Sequence, residues 1–228
     1  MIVARSLRTG QERELAPRLS HMERFRWSPD GRYLLVSGSD RRARGGLFRM
    51  DARSGEFEPI VQEDTAPFRG FEGAWSGDGK AIFYLHGGVR WRELSGGQEK
   101  QVYRGAPGAG LSHLAVSPDG SRLALLEGGA LLVMPAAGGP VRESAKVSEE
   151  VSGLGWSPDG KHVVVSGAKD VWQIPVESGS PRKLELPADS QGAARLHPDG
   201  RRIAFAAGKT QSEVWVMDLK VRGPDSTR

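Results

Sequence analysis

The stretch WSPDG, Trp27–Gly31, decides the fold of this 228-residue chain, because close copies of it recur along the whole sequence. The same five letters return at 156–160, and three variants accompany them: WSGDG at 75–79, VSPDG at 116–120 and LHPDG at 196–200. The aspartates stand at positions 30, 78, 119, 159 and 199. A period near 40 residues with short strands is typical of the four-stranded blades of a β-propeller.

The chemistry of the repeated stretch predicts a tight turn between two strands. Proline presets the backbone angle φ at the second position of a type I turn, and serine and aspartate suit the positions around it. Glycine takes the left-handed conformation that follows. Apolar, β-rich runs come after each turn, such as YLLVSG at 33–38, and a second run follows, such as VWQIPV at 171–176. Each repeat therefore predicts antiparallel strands joined by short turns.

The repeat predicts an all-β propeller in a single domain, 1–228, with about five blades of four antiparallel strands. The blades are predicted at 22–62, 70–104, 111–145, 151–187 and 191–219, before a polar tail at 220–228. Residues 1–17 match the last strands of a blade. They belong either to a preceding blade or to the fifth blade, which the strand near Arg13–Ala16 would close. The alternative is a fragment of a six- to eight-bladed ring.

One pentapeptide suggests a different function, because Leu94–Gln98 reads LSGGQ, the signature of ATP-binding-cassette ATPases. The repeat places it in the slot between the third and fourth strands of a blade, where three other blades carry unrelated letters. A phosphate-binding loop would also need a glycine five residues before Gly208, and Ile203 stands there. We therefore interpret LSGGQ as a glycine turn.

The composition of the chain excludes several kinds of site and indicates where the protein is located. The chain is 38% hydrophobic and 26% charged with a net charge of +4, and it has no cysteine, so disulfides and thiolate metal sites are excluded. No apolar run approaches the roughly 20 residues of a membrane helix. The N-terminus lacks the layout of a secretory signal. We expect a cytoplasmic location as the chain stands, and a periplasmic one if the N-terminus is truncated.

The motifs together resemble a known family. WSPDG before an apolar strand, with a later VWQIP (171–175) or VWVMD (214–218), resembles the TolB-like, WD-repeat-like propeller repeat of bacteria, about five times over the whole chain. Residues 197–219 resemble the closing blade of propellers at the C-terminal end of bacterial multidomain proteins. Gly77 and His197 depart from the pattern. The resemblance implies the fold, whereas members serve as docking platforms, sensors, peptidase gates or translocation factors.

Catalytic chemistry is not indicated. The five histidines show no metal-ligand spacing, no G-x-S-x-G elbow occurs, and no cofactor is expected. The tryptophans recur with the repeat: Trp27, Trp75 and Trp156 share one blade position. Such periodic aromatics predict wedges between blades. Trp91 is placed two positions from the other third-strand tryptophans, on the same face, and is interpreted in the same way.

Basic residues in two lengthened loops form the candidate binding site. The loop at 37–46, SGSDRRARGG, carries extra arginines, and the loop at 206–213 carries a lysine. Two further arginines fall on innermost strands, at a slot where other blades carry alanine or glycine, which suggests a loose seam between the first and fifth blades. The predicted site comprises Arg41, Arg42, Arg44, Lys209, Arg26 and Arg195. Such a corner would attract an acidic or phosphorylated partner.

The sequence thus favours a non-catalytic binding or docking module for a protein, a peptide or a small polar ligand, as the C-terminal sensor or scaffold part of a larger bacterial protein. A nucleic-acid partner is not expected. Two alternatives stay open: an accessory gating propeller of a prolyl-oligopeptidase-like peptidase, and a TolB-like periplasmic translocation factor.

Overall fold

The computed structural model describes residues 2–5, 8–15, 18–63, 71–147, 150–167, 170–186, 190–196, 202–207 and 213–218. Within these ranges every regular element is a β-strand. The strands are β1 Ile2–Arg5, β2 Glu12–Leu15, β3 Leu19–Trp27, β4 Tyr33–Asp40, β5 Gly45–Asp51, β6 Phe57–Glu63, β7 Gly73–Trp75, β8 Ala81–Leu85, β9 Val89–Glu93, β10 Glu99–Tyr103, β11 Leu111–Val116, β12 Arg122–Glu127, β13 Ala130–Pro135, β14 Arg142–Lys146, β15 Val151–Trp156, β16 His162–Gly167, β17 Val171–Pro175, β18 Arg182–Leu184, β19 Ser190–Leu196, β20 Arg202–Ala207 and β21 Glu213–Asp218.

Consecutive strands pair antiparallel into four four-stranded sheets: sheet 1 (β3–β6), sheet 2 (β7–β10), sheet 3 (β11–β14) and sheet 4 (β15–β18). Strands β19–β21 form sheet 5, and β1 and β2 form a hairpin, which we call the N-terminal hairpin. The predicted all-β class and four-stranded antiparallel blades are thus confirmed. The number of blades and the closing strand near Arg13–Ala16 stay predictions.

The chain divides into two compact units, Met1–Gly105 and Ala106–Arg228. The first contains the N-terminal hairpin with sheets 1 and 2, and the second contains sheets 3, 4 and 5. The division falls between the predicted blades 70–104 and 111–145. Each unit is described below by itself.

The repeated turn is built on a serine–aspartate pair. In sheet 1 the Ser28 hydroxyl donates to Asp30 Oδ1 at 2.5 Å, and the amide of Arg32 donates to the same oxygen at 3.0 Å. The amide of Gly31 donates to the Ser28 carbonyl at 2.9 Å, and Gly31 has a φ of 68°. The same bonds recur in the turns that begin at Ser76, Ser117 and Ser157. This explains why the sequence repeats serine and aspartate, while the turn with His197 lies outside the described residues.

Because these bonds need a charged carboxylate, we expect the stability of the turn to fall in acid. Asp119 is the residue at which we test this expectation. Hydrogen bonds from the Ser117 hydroxyl and from the amide and hydroxyl of Ser121 lower the pKa of Asp119 from 3.8 to about 2. Because the pKa is lower in the folded state, the charged form stabilises the fold above pH 4, and this contribution is lost as the pH falls towards 2. We expect the urea midpoint to fall over that range, and to fall less in Asp119→Asn. Urea unfolding followed by circular dichroism at several pH values measures this.

The matched control is Glu177→Gln. It removes an exposed carboxylate from the connection between β17 and β18, away from the serine–aspartate turns. In this control the urea midpoint should fall with pH as steeply as in the wild-type protein. An identical fall in Asp119→Asn and wild type would show that the turn carboxylate does not govern acid stability.

Sheet 1 is covered on both faces within the first unit. One face packs Leu34, Val36, Phe48 and Met50 against Ile2 and Leu15 of the N-terminal hairpin. The opposite face packs Leu35 and Leu47 against Phe71, Trp75, Ile82 and Tyr84 of sheet 2 and its approach. The alternation of buried side chains along β4 and β5 follows from the two-residue period of a strand. The hairpin therefore occupies the position of a preceding blade beside sheet 1.

In the second unit, sheets 3 and 4 share one apolar interface. Ala115, Ala124, Leu126, Leu131 and Val133 of sheet 3 face sheet 4. The sheet 4 side of the interface is formed by Leu154, Val163, Val165, Ile174 and Val176, with Trp156 and Trp172 packed at its margin. Arg122 reaches across from sheet 3, donates to the Gly160 carbonyl at 2.7 Å and lies over the Trp156 ring. An arginine thus joins one blade to the turn of the next.

The wedge prediction is confirmed for two of the three tryptophans in its slot. The indole of Trp75 is 6% exposed and donates through Nε1 to the Arg26 carbonyl of sheet 1 at 3.1 Å. Trp156 donates in the same way to the Ala115 carbonyl of sheet 3 at 3.3 Å. Each wedge therefore joins its sheet to the innermost strand of the preceding sheet.

Trp27 and Trp91 differ from the prediction. Trp27 has the matching register, on the face of sheet 1 that packs against the N-terminal hairpin, but its side chain is 53% exposed. Trp91 pairs with Phe83, whereas Trp172 pairs with Val165, the counterpart of Tyr84. Trp91 is therefore displaced by one position and lies on the opposite face. Lys100 Nζ lies 5.2 Å from its ring centroid.

The LSGGQ segment forms a turn between β9 and β10. The amide of Glu93 donates to the Gln98 carbonyl at 2.8 Å, and Gly97 has a φ of 68°, which favours glycine. Ser95 is exposed in this turn. The interpretation of Leu94–Gln98 as a connection between the third and fourth strands therefore holds.

Candidate functional site

The predicted basic loop at 37–46 is mostly strand. Strands β4 and β5 continue through it with the pairs Ser37↔Leu47, Gly38↔Gly46 and Ser39↔Gly45. A Cβ at Gly46 would lie 2.1 Å from the Val61 carbonyl oxygen, so this glycine permits the close approach of β6. The extra residues therefore lengthen the hairpin, and only 41–44 connect the strands. The prediction of a long loop was wrong.

Asp40 organises this connection, which we call the Asp40 turn and define as Asp40–Arg44. Its Oδ1 accepts from the amides of Arg42 and Arg44 at 2.9 and 3.0 Å. Its Oδ2 accepts from Arg44 Nε at 2.9 Å, Arg44 Nη2 at 2.7 Å and Gln62 Nε2 at 3.0 Å. The amide of Ala43 donates to the Asp40 carbonyl at 3.0 Å, with Ala43 at a φ of 61°. One carboxylate therefore fixes the backbone of the turn and ties it to β6.

The charge of Asp40 is favoured by these contacts. Burial alone would raise the pKa of its carboxyl, but the hydrogen bonds from the Arg44 amide, the Arg44 guanidinium and the Arg42 amide outweigh that effect. The pKa of Asp40 therefore lies below its ordinary value. The turn keeps its internal bonds at neutral pH.

The three arginines of the turn have different roles. Arg44 is half-buried and is held in a two-pronged ion pair with Asp40. Arg41 and Arg42 are exposed, and the backbone that carries them is fixed. The turn thus presents two guanidinium groups to solvent from a rigid base. Sequence reasoning found the arginines but not the role of Asp40.

Arg26 does not join them. It pairs with Leu35, five residues along β4 from Asp40, which corresponds to roughly 16 Å of strand. It lines a small depression together with Arg24, Phe71 and Glu72, on the face of sheet 1 that packs against sheet 2. The predicted placement of Arg26 at a seam on the other side of the first blade was wrong, because residues in this slot face the following blade.

The remaining predicted residues lie in the second unit. Arg195 pairs with Ala204, which is the register of the same slot in the other sheets. The equivalent pairs are Arg26↔Leu35, Ala74↔Phe83, Ala115↔Ala124 and Gly155↔Val164. Lys209 lies outside the described residues. A joint site of the Asp40-turn arginines with Arg195 and Lys209 therefore stays a prediction, without Arg26.

A second polar surface of sheet 1 was not predicted. It is a groove of about 720 Å³ around Tyr33, near the turn between β5 and β6. Its charged residues are Arg18, Arg32, Arg49, Asp51, Glu56 and Glu58. Arg32 and Arg49 each lie 4.9 Å from the Tyr33 ring centroid, and Arg49 forms an ion pair with Glu58. The charges of the groove cancel, so it is less suited to an anionic partner than the Asp40 turn.

The cross-strand register creates this groove, since Tyr33 lies opposite Asp51, and Leu35 lies opposite Arg49. No sequence motif marks it.

Within the described ranges, no group of three or more histidine, cysteine, aspartate or glutamate side chains could hold a metal ion. No helix in the described part of the chain has the length and apolar character to cross a membrane.

A known family model matches one segment of sheet 1. The family model described as WD domain, G-beta repeat matches residues 19–44, which run from β3 through the first SPDG turn to the Asp40 turn. A search of curated protein sequences found no match. The matched segment therefore contains Arg26 and the three arginines of the Asp40 turn.

Solved structures extend the likeness to most of the chain. A putative TolB from Agrobacterium tumefaciens is 19% identical with a TM-score of 0.70, over 94% of this chain and 83% of that one. TolB from Acinetobacter baumannii is 16% identical with a TM-score of 0.63, over 90% of this chain and 52% of that one. An oligogalacturonate lyase from Vibrio parahaemolyticus is 12% identical with a TM-score of 0.60, over 96% and 82%. These likenesses show the β-propeller fold.

Proposed function

We propose that this β-propeller, which is similar to TolB and WD-repeat propellers, is a non-catalytic binding module, and that an acidic or phosphorylated peptide segment of a partner protein docks at the Asp40 turn. The observation that carries this proposal is the rigid presentation of two exposed arginines, Arg41 and Arg42, by one carboxylate.

Rigidity matters for affinity because binding must overcome the loss of conformational freedom in the groups that become ordered. Asp40 already orders the backbone on both sides of the exposed arginines through the amides of Arg42 and Arg44. A carboxylate or phosphate can then accept from a guanidinium fork without further ordering of the turn. Asp40 itself adds little repulsion, since Arg44 already pairs with it.

The charge of the surface also favours an anionic partner. The Asp40 turn holds three arginines against one aspartate, whereas the groove around Tyr33 holds equal numbers of both signs. Exposed cations raise association rates with anionic partners, and the effect fades over a Debye length of about 8 Å at physiological salt. A salt-dependent affinity is therefore expected.

The proposal is tested with two probes, an acetylated hexaglutamate peptide and a phosphoserine peptide, titrated by isothermal calorimetry. The variant is Arg41→Ser/Arg42→Ser, and its matched control is Arg8→Ser/Arg53→Ser, which removes the same charge from exposed positions elsewhere in the unit. We expect at least roughly tenfold weaker binding for the first pair, since charge-assisted hydrogen bonds contribute about 1.5–3 kcal/mol. The control should retain most of the affinity.

Equal loss of affinity in both double variants would show that only net charge matters and would refute a site at the Asp40 turn. The proposal would also be refuted if neither probe bound to the wild-type chain. Gating of a peptidase and periplasmic translocation are the alternative roles, and neither requires the arginine dependence described above.

A further inference from the structure

An apolar cleft opens between sheets 3 and 4, in the second unit. It encloses about 250 Å³ and lies between β14, at the edge of sheet 3, and the central strands of sheet 4. Its principal lining is Ala145, Lys146, Val147, Val165, Trp172 and Ile174. The cleft continues the interface that joins the two sheets, because several of these side chains also pack against the shared core.

The cleft exists because Trp172 is incompletely covered. Its counterparts in register are Phe48 in sheet 1 and Leu132 in sheet 3, which are 1% and 6% exposed. Trp172 is only half-buried. In the neighbouring sheet, β14 carries a bulge between the pairs that Leu131 and Leu132 make with it. An indole surface is thus left accessible beside the edge strand.

The volume of the cleft indicates the size of ligand that it can hold. Pockets for drug-sized molecules usually enclose about 300–1,000 Å³, so a cleft of 250 Å³ is better matched to one large side chain than to a whole cofactor. An aromatic ring can pack against the Trp172 indole in an offset or edge-on arrangement. The apolar walls of Val165 and Ile174 would complete its burial.

The charge at the cleft indicates which chemical group of the ligand would lie next to its aromatic ring. Lys146 lies at the cleft and is exposed, so it presents an ammonium group beside the apolar walls. Lys183 pairs with Trp172 across β17 and β18, but Asp170 already engages it, with Nζ 2.6 Å from Oδ1. Lys146 is the cation among the residues that line the cleft, which favours a ligand with a carboxylate next to its aromatic ring.

We propose that this cleft binds one aromatic side chain of a peptide whose adjacent residue is acidic. The site extends the proposed binding function to the second unit. It uses none of the residues of the Asp40 turn, so either proposal can fail while the other holds.

The probes are the dipeptides acetyl-Phe-Glu-amide, acetyl-Ala-Glu-amide and acetyl-Phe-Lys-amide. Their binding is followed on the indole N–H signal of Trp172 in nitrogen-15 spectra, which Trp172→Phe assigns. The phenylalanine–glutamate probe should bind roughly tenfold more tightly than the alanine–glutamate probe, because the ring removes apolar area from water. It should also bind more tightly than the phenylalanine–lysine probe.

Two variants locate the site. Ala145→Met fills the cleft and should weaken binding of the phenylalanine–glutamate probe about tenfold, whereas Ala137→Met, at an exposed position in the turn between β13 and β14, should not. Lys146→Glu leaves the apolar walls intact and should reverse the preference between the glutamate and lysine probes. Because Lys146 is exposed, this variant retains the fold even if Ala145→Met does not.

Three results would overturn the proposal. They are equal binding of the phenylalanine–glutamate and alanine–glutamate probes, an unchanged charge preference in Lys146→Glu, and no shift of the Trp172 signal at millimolar probe. Equal effects of Ala145→Met and Ala137→Met in folded protein would likewise place any binding elsewhere.

Discussion

Replacement of Trp75 by alanine is expected to lower the free energy of unfolding by about 3–5 kcal/mol, as for other buried tryptophans. The Trp75 side chain is 6% exposed, packs between sheets 1 and 2, and donates its indole hydrogen to the Arg26 carbonyl. Alanine would remove both the packing and the hydrogen bond. The measurement is urea unfolding of the wild-type and variant chains, with tryptophan fluorescence and circular dichroism recorded together.

Trp27→Ala is the matched control, because the same residue type occupies the same blade position in the preceding sheet. Its side chain is 53% exposed, so the expected loss is about 1 kcal/mol or less. Equal losses in the two variants would contradict the assignment of Trp75 as the wedge between sheets 1 and 2.

Leu15→Ala is expected to lower the free energy of unfolding by about 2–5 kcal/mol, the usual range for a buried leucine. Leu15 is 3% exposed and is packed, together with Ile2, against Leu34 and Phe48 of sheet 1. The control is Val3→Ala in the same hairpin, because Val3 is 48% exposed and should change stability by about 0.5 kcal/mol or less. Urea unfolding at neutral pH distinguishes the two variants.

Deletion of residues 1–17 should have a larger effect than Leu15→Ala. It would uncover the apolar face that contains Leu34, Val36, Phe48 and Met50, and exposed apolar faces promote self-association. Sedimentation velocity should show oligomers in the truncated protein. A truncated chain that remains monomeric and unfolds at the same urea concentration would show that the N-terminal hairpin does not protect sheet 1.

The features that the sequence predicted best are those that local chemistry determines. Ser28, Asp30 and Gly31 close their turn through bonds within five residues, so the same letters recur wherever the turn recurs. The apolar runs after each turn become the second strands of the sheets. The LSGGQ segment was interpreted correctly for the same reason, since its repeat slot determined its structure.

The errors arose where long-range pairing determines the result. Trp91 was assigned to a face without knowledge of the strand register, and a shift of one residue reverses the face of a strand. The repeat slot of Arg26 was correct, but the sheet that this face contacts depends on how the sheets pack. The lengthened segment at 37–46 was interpreted as a loop, but the Asp40 carboxylate and the close approach at Gly46 extend the hairpin instead.

The surfaces between strands could not be predicted at all. The groove around Tyr33 depends on the pairing of Tyr33 with Asp51, and the cleft beside Trp172 depends on how sheet 3 packs against sheet 4. Both arise from residues that are distant in sequence and carry no motif. Periodicity indicates which residues are structural, but it does not indicate which spaces the packing leaves open.

The affinity of Asp40→Asn for the hexaglutamate probe tests the central claim most directly. The substitution preserves the size of the side chain and leaves one oxygen that can accept from the turn amides. It removes the negative charge and replaces the oxygen that accepts from Arg44 and Gln62 with an NH2 donor, so the ties to Arg44 and to β6 are lost. It also makes the surface more positive, so simple attraction predicts tighter binding of an anionic peptide. If the rigid presentation of Arg41 and Arg42 matters, the affinity should instead fall, by roughly fivefold or more. Binding that is unchanged or tighter in Asp40→Asn would contradict the claim.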